Sequence, residues 1–144
     1  MADGNLISVG AEQRVQVAVM EALRSDLDVK QIFGDRPRVY DDETRAPAFP
    51  FAKLERHETR PAGAAGVPGQ EHIFTFAVSS RFGGRATAKE GIGVLRAAVE
   101  RADITLEGQR IVLAYASYGD VFRAPDGQTF RGIVRFRIIS EEIV

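Results

Sequence analysis

The chain has 144 residues, a formal net charge of -1 at pH 7 and no cysteine. A domain of this length buries about 68–70% of its unfolded surface, so a core needs no staples. The absence of thiols excludes disulfides, thiolate metal sites and a cysteine nucleophile, and the balanced charge argues against a dedicated nucleic-acid binder.

The expectation is a single domain over 1–144, with residues 1–9 flexible. No charged leader precedes an apolar run and no apolar stretch of about 18 residues occurs, which points to a soluble cytoplasmic product without a membrane segment. Val15, Ala18, Val19, Ala22 and Leu23 recur at helical spacing among polar residues, predicting an amphipathic helix over residues 10–25. A short turn follows from Val29 to Phe33 and stops at Gly34; Arg38 to Tyr40 reads as a short strand before a proline-containing loop at 41–50.

Residues 51–59 and 71–82 read as extended, the second because Phe74, Phe76, Val78 and Phe82 alternate with Thr75, Ala77, Ser79 and Arg81. Between them "RPAGAAGVPGQ", residues 60–70, is too rich in glycine and proline for regular structure, giving a hairpin with a long mobile tip. A second helix is expected to start at Thr87, where Thr87 and Glu90 fit a capping box, with Ala88, Ile92, Leu95, Val99 and Ala102 as its apolar stripe. Strands over 110–122 and 129–140 flank the turn "APDG" at 124–127. The order predicts an α+β fold: a mainly antiparallel sheet of about four long strands with two helices packed on one face.

On the last strand Phe130, Val134, Phe136 and Ile138 form the core side, with Arg131, Ile133, Arg135, Arg137 and Ile139 opposite. The preceding strand is apolar on both sides, Val112, Ala114, Ala116 and Phe122 alternating with Ile111, Leu113, Tyr115 and Val121. One layer of helices covers one face, so the other apolar set is exposed in a monomer or covered by another chain, an argument for self-association.

Chemistry-bearing patterns are sparse. Gly83 and Gly84, with Arg85 and Lys89, stand where a strand gives way to a helix, as a phosphate cradle would. Yet Lys89 is followed by Glu90 and preceded by Ala88, so the P-loop pattern fails, and Gly91-Ile92-Gly93 lies inside the helix without a third glycine. The plain reading is a chain reversal. His57 and His72 flank the hairpin tip and face each other if Arg60 pairs with Gly69, but no third ligand has a spacing that fixes it, so exposed histidines without a metal are the stronger reading. No nucleophile elbow surrounds Ser79 or Ser80, and no cofactor is expected. Arg131, Arg135 and Arg137 form the one basic stripe, facing phosphates or a neighbour's carboxylates, or simply a solvated strand face.

The order of the segments carries a resemblance. An amphipathic helix, "RVYDD", "PAFPF", "EHIFTFAVSSRFGGRATAKEGIGVLRAAV", "ITLEGQRIV" and "DVFRAPDGQTFRGIVRFRI" together resemble the tail-terminator or tail-completion proteins of long-tailed bacteriophages and of gene transfer agents, from about Gln13 to Ile139. The most specific parts are the strand-Ser-Arg-x-Gly-Gly-helix junction, the Leu106-Glu107-Gly108 turn and the final D-G-x-x-x-x-G-x-x-R-F-R strand. The resemblance implies a tail-tube-like fold and a non-enzymatic role: a homohexameric ring on the head-proximal end of the tail tube that stops its growth and joins the neck or capsid. Implied partners are the chain itself, the tail tube protein and a neck or head-completion protein, with DNA only as passing cargo. Implied location is the host cytoplasm during assembly and then the tail of the particle.

Loops 41–50 and 60–70 are then the segments that docking orders. They carry Arg45 and Phe49, and Arg60, Val67 and Gln70, which with Arg131, Arg135 and Arg137 are the expected interface residues. Two alternatives stand beside this reading: a head-to-tail joining protein on the capsid side, and a phosphate- or nucleotide-binding enzyme using the Gly83-Gly84 loop.

Overall fold

The computed structural model describes residues 10–42, 44–63 and 65–143; the segment 1–9, expected to be flexible, lies outside the described residues. Helices α1 (Ala11–Ser25), α2 (Leu27–Phe33) and α3 (Gly84–Arg101) pack on one side of a sheet made of β1 (Val39–Tyr40), β2 (Phe51–Pro61), β3 (Gly69–Ser80), β4 (Thr105–Leu106), β5 (Gln109–Arg123) and β6 (Phe130–Glu142). The sheet order is β1-β2-β3-β6-β5-β4, antiparallel except that β1 runs parallel to β2. The fold is α+β as expected, with two corrections: the sheet is mixed and has six strands rather than four, and three helices rather than two cover it. The extra strands have two residues each, too short to leave a periodic signal.

The third helix comes from the segment read as a turn. Asp26 caps α2 by accepting from the N–H groups of Asp28 (2.9 Å) and Val29 (3.1 Å), and Gly34, at φ 92°, ends it. Helix α3 begins at Gly84, three residues before Thr87, and its N-cap Gly83 makes no side-chain capping bond. The expected Thr87–Glu90 start is therefore replaced by a glycine entry.

The core lies between helices and sheet: Val15, Val19, Met20 and Leu23 of α1, Phe33 of α2, and Leu95 and Val99 of α3 meet Phe74, Phe76, Val78, Val134, Phe136 and Ile138. Phe76 and Phe136 meet edge to face, 5.9 Å between ring centres. Helix α3 lies close on the sheet because two glycines leave room. A Cβ on Gly91 would stand 2.9 Å from Cγ1 of Val78, and one on Gly132 would stand 2.7 Å from Cδ1 of Ile92. Phe82, expected to continue the core side of β3, lies beyond the strand end and is 73% exposed. Among the described residues no helix is long and apolar enough to cross a membrane.

Candidate assembly surfaces

The sheet face opposite the helices is bare of any helix, although Thr75, Ala77 and Ser79 of β3 are buried on it, and cross-strand pairing sets what it displays. On β6 it carries Arg131, Ile133, Arg135, Arg137 and Ile139, as the alternation predicts. On β5 it carries Leu113, Tyr115, Tyr118, Asp120 and Phe122, opposite those β6 residues. Here strict alternation fails, because register shifts between Ile111 and Leu113 and between Ala116 and Tyr118 each insert a residue. Phe122 thus moves to the bare face and Val121 to the helix side. Leu113, Tyr118 and Phe122 are 40%, 44% and 37% exposed, so an apolar patch remains on β5.

The arginine stripe is occupied. Arg131 pairs with Glu55 at 2.9 Å, Arg137 donates to Glu71, and the Arg135 guanidinium sits over the Tyr118 ring at 4.4 Å. Arg60 reaches the same Glu71 at 2.9 Å, and Arg110 reaches Glu141 at 2.7 Å. The bonds from Arg137, with the attraction of both guanidiniums, hold the Glu71 carboxyl below its ordinary range. The face is a lattice of neutralised charge rather than an open cationic track.

At the hairpin end, pairing extends to Pro61 and resumes at Gly69, so the irregular tip is shorter than the composition suggests. Arg60 pairs with Glu71 instead of Gly69, and His57 lies opposite Phe74 rather than His72. The histidines still meet, as diagonal neighbours on one face: His57 Nε2 and His72 Nδ1 are 3.0 Å apart. His72 is fully buried rather than exposed, with Nε2 3.0 Å from Ser140 Oγ. Burial pushes the His72 imidazole down to about 4, and burial also lowers His57 against the opposing pull of Glu12. Gln70 donates to Glu12 Oε2 of α1 at 3.2 Å, tying this end to the helix layer, and Val67 sits in the tip, half-buried. Among the described residues no three His, Cys, Asp or Glu side chains gather to hold a metal.

At the opposite end, loop 41–50 carries exposed Arg45 and half-buried Phe49. Phe49 rests 5.4 Å from Phe51 and under Arg81, whose guanidinium is 4.6 Å from the ring centre. Arg81 also donates to Thr129 Oγ1 at 3.2 Å. Gly83 and Gly84 take φ of 75° and 59°, left-handed angles that L side chains resist, and so reverse the chain. The basic residues beside them diverge: Arg85 lies over Phe130, 5.4 Å from the ring centre, while Lys89 lines a groove with Gly119 and Asp120 of β5. The eight expected interface residues therefore fall into three places. Arg60, Val67 and Gln70 mark the tip, with Arg137 joined to Arg60 through Glu71; Arg45 and Phe49 mark the far loop; Arg131 and Arg135 lie on the bare face.

Two surfaces escaped the sequence reading altogether. Strand β4 pairs with β5 only at Gln109 and Arg110, so among the described residues the β5 edge from Ile111 to Arg123 has no strand beside it. Strand β1 pairs with β2 only at Ala52 and Lys53, so among the described residues the β2 edge has no strand beside it from Leu54 to Pro61. The length of β5 beside so short a β4 is the signal that points there, but only topology shows which strand is outermost.

Solved structures share this arrangement. A chain from the virion of a native gene transfer agent particle superposes with a TM-score of 0.78 at 26% identity, over 89% of this chain and 95% of that one. The bacteriophage SPP1 gp17 protein superposes with a TM-score of 0.63 at 19% identity, over 99% and 97%, a likeness of fold. Comparison with the curated proteins finds no match. The enzyme reading of the Gly83-Gly84 loop has no support in these likenesses or in the divergence of Arg85 and Lys89. With the family described as tail completion protein gp17 matching residues 17–141, the chain belongs to that family, and is a structural tail-completion component rather than an enzyme.

Proposed function

We propose that the chain acts as a tail terminator: a homohexameric ring that seats on the head-proximal end of a tail tube, stops its polymerisation and presents the joint to the neck. The observation that carries the ring is the pair of open edges, Leu54–Pro61 and Ile111–Arg123, at opposite sides of one sheet. Head-to-tail contact between unlike edges is heterologous, and a heterologous contact closes into a ring when its rotation divides the circle. The two ends of the sheet then face opposite ways along the ring axis. One end matches the last tube layer, the other refuses a further tube subunit, and growth stops by mismatch.

In this arrangement loops 41–50 and 62–68, with Arg45, Phe49, Arg60, Val67 and Gln70, contact the tube protein and the neck protein. The bare face turns toward the passage. DNA must travel through without being held, and arginines already paired to Glu55 and Glu71 suit that demand better than free ones, since unpaired cations release counterions and bind the phosphate backbone. Assembly takes place in the host cytoplasm, after which the ring remains in the tail.

The test is negative-stain microscopy of the purified protein mixed with tail tubes of the same particle. The expected result is tubes of fixed length that carry a sixfold ring at one end only. A protein that stays monomeric and leaves tube growth unchanged overturns the proposal. Rings found on the portal end of tailless capsids, and never on tubes, would move the function to the head side.

A further inference from the structure

Helix α3 holds two glycines whose surroundings differ. Gly91 is demanded by packing, since a Cβ there would press on Val78 and Phe33. A Cβ on Gly93 would meet nothing within 4 Å, and its φ is not left-handed. Glycine is the poorest helix former after proline, so a mid-helix glycine with free space around it has no reason inside its own chain. Gly119 repeats the pattern inside β5: its φ is ordinary and an added Cβ would approach nothing closer than Ile133 O at 3.9 Å. Glycine inside a strand marks a bulge or the close approach of another backbone.

Gly119 lines a groove between α3 and β5, and Gly93 shares the side of α3 that walls it. Lys89, Gly93, Arg96 and Glu100 recur at i, i+4, i+7 and i+11, along one side of α3. Lys89 and Arg96 line a groove of about 510 Å³ together with Gly119, Asp120 and Val121 of β5. Gly119 lies on the helix side of the sheet, since it pairs with Val134 of the core. The groove follows the open β5 edge. One of its outward donors is already engaged: the Ala116 N–H donates to Glu100 Oε2 at 2.9 Å.

We propose that this groove receives the open β2 edge, Leu54–Pro61, of a second copy of the chain, and that Glu100 holds the Ala116 N–H until that strand arrives. The inference rests on the ring reading and supplies its contact. Three features select this occupant. The β2 edge has its own unpaired backbone groups, so each copy offers both halves of the joint. Its exposed Arg56 and Glu58 are opposite in sign, as Lys89 or Arg96 and Asp120 are in the groove. The space at Gly93 and Gly119 leaves room beside the β5 edge for a strand that adds to it through main-chain hydrogen bonds. Glu100 then acts as an edge guard, a charged group at an unpaired strand that delays pairing in the free subunit.

The chain has no cysteine, so introduced thiols are the only ones. In samples where rings are seen by microscopy, Glu58→Cys with Ser117→Cys and a short bismaleimide should give a ladder from dimer to hexamer, and each single variant only traces. Efficient dimers from Ser117→Cys alone mean β5 meets β5, which overturns the assignment, as does a sample with rings but no ladder. Absence of rings in the unmodified protein sinks the ring reading itself and is thereby told apart. Gly93→Gln should keep the helical circular dichroism and keep or raise the melting temperature of the monomer while lowering ring yield roughly tenfold; rings at the original yield reject the groove. Glu100→Ala should lower the protein concentration needed for rings about tenfold, the worth of one charge-assisted hydrogen bond. An unchanged threshold removes the guard.

Discussion

The two ends of the sheet are held by different chemistry. At the hairpin end surface contacts such as Arg60–Glu71 and Gln70–Glu12 are joined by buried and backbone ties: His57, His72 and Ser140 form a polar line under the start of α1, Glu142 N–H donates to Pro68 O at 2.9 Å, and Ile143 N–H donates to Gly108 O at 3.0 Å. At the other end the ties are side-chain contacts at the surface, in which Arg81 links Phe49, Thr129 and Asp126 across loop 41–50 and the 124–129 turn. In the proposed ring, which docks differently at its two ends, a subunit gains from this. The hairpin end is a rigid block whose shape is fixed by the core, and the loop end can adjust when a partner arrives.

The comparison breaks first at the buried end. His72→Ala removes a fully buried ring and leaves the buried Ser140 hydroxyl without its partner. A cavity and an unsatisfied hydroxyl together should cost about 3 kcal/mol, read as a lower urea midpoint with an unchanged slope. A comparable effect should come from acid. Unfolded imidazoles take up protons near pH 6.5, while burial holds His72 down to about 4, so between these values the unfolded chain binds protons that the folded one refuses. Stability is therefore full above pH 6.5, falls as the pH drops toward 4 and loses nothing further from this group below that. The loss should be about 3 kcal/mol, and in His72→Gln it should shrink to the part that buried His57 still contributes. Hydrogen exchange would show where it acts: protection of residues 70–72 and 138–140 should fall in this window, while the turn at 124–129 keeps its protection.

The unequal ends also explain what could be read from sequence. The long strands, α1 and the core side of β6 announce themselves through period, because Phe74, Phe76, Val78, Val134, Phe136 and Ile138 have to face one layer. The segment order likewise exposed the family. Features set by a single hydrogen bond or one inserted residue did not show. Asp26 caps α2 with no periodic stretch long enough to reveal it. The bulges at Val112 and Ser117 swap the faces of everything beyond them, and a two-residue offset in hairpin register decides whether His57 opposes His72 or Phe74. The assembly surfaces were the least legible. Loops and charge point to Arg131, Arg137 and Arg60, whose carboxylate partners no spacing reveals, while the open edges and the spare glycines become visible only once strand order is known.

The smallest expected effect belongs to the loop end. Asp126 accepts from the N–H groups of Gln128 and Thr129 and from the Thr129 hydroxyl, which holds its carboxyl down to about 2, with Arg81 adding a weaker pull. Its contribution is present above pH 3.8 and is lost only as the pH falls toward 2, so the turn should outlast the histidine line in an acid titration. Arg81→Ala deletes the bond to Thr129, the contact over Phe49 and an exposed ion pair with Asp126 at 3.8 Å. Exposed pairs of this kind stabilise little, and the whole substitution should cost about 0.5–1 kcal/mol by urea unfolding. Its larger signature should be local: faster proteolysis within loop 41–50 with the hairpin end unchanged. A loss as large as that of His72→Ala would mean that Arg81 fixes the loop as firmly as burial fixes the tip, and the contrast between a rigid end and an adjustable one would fall.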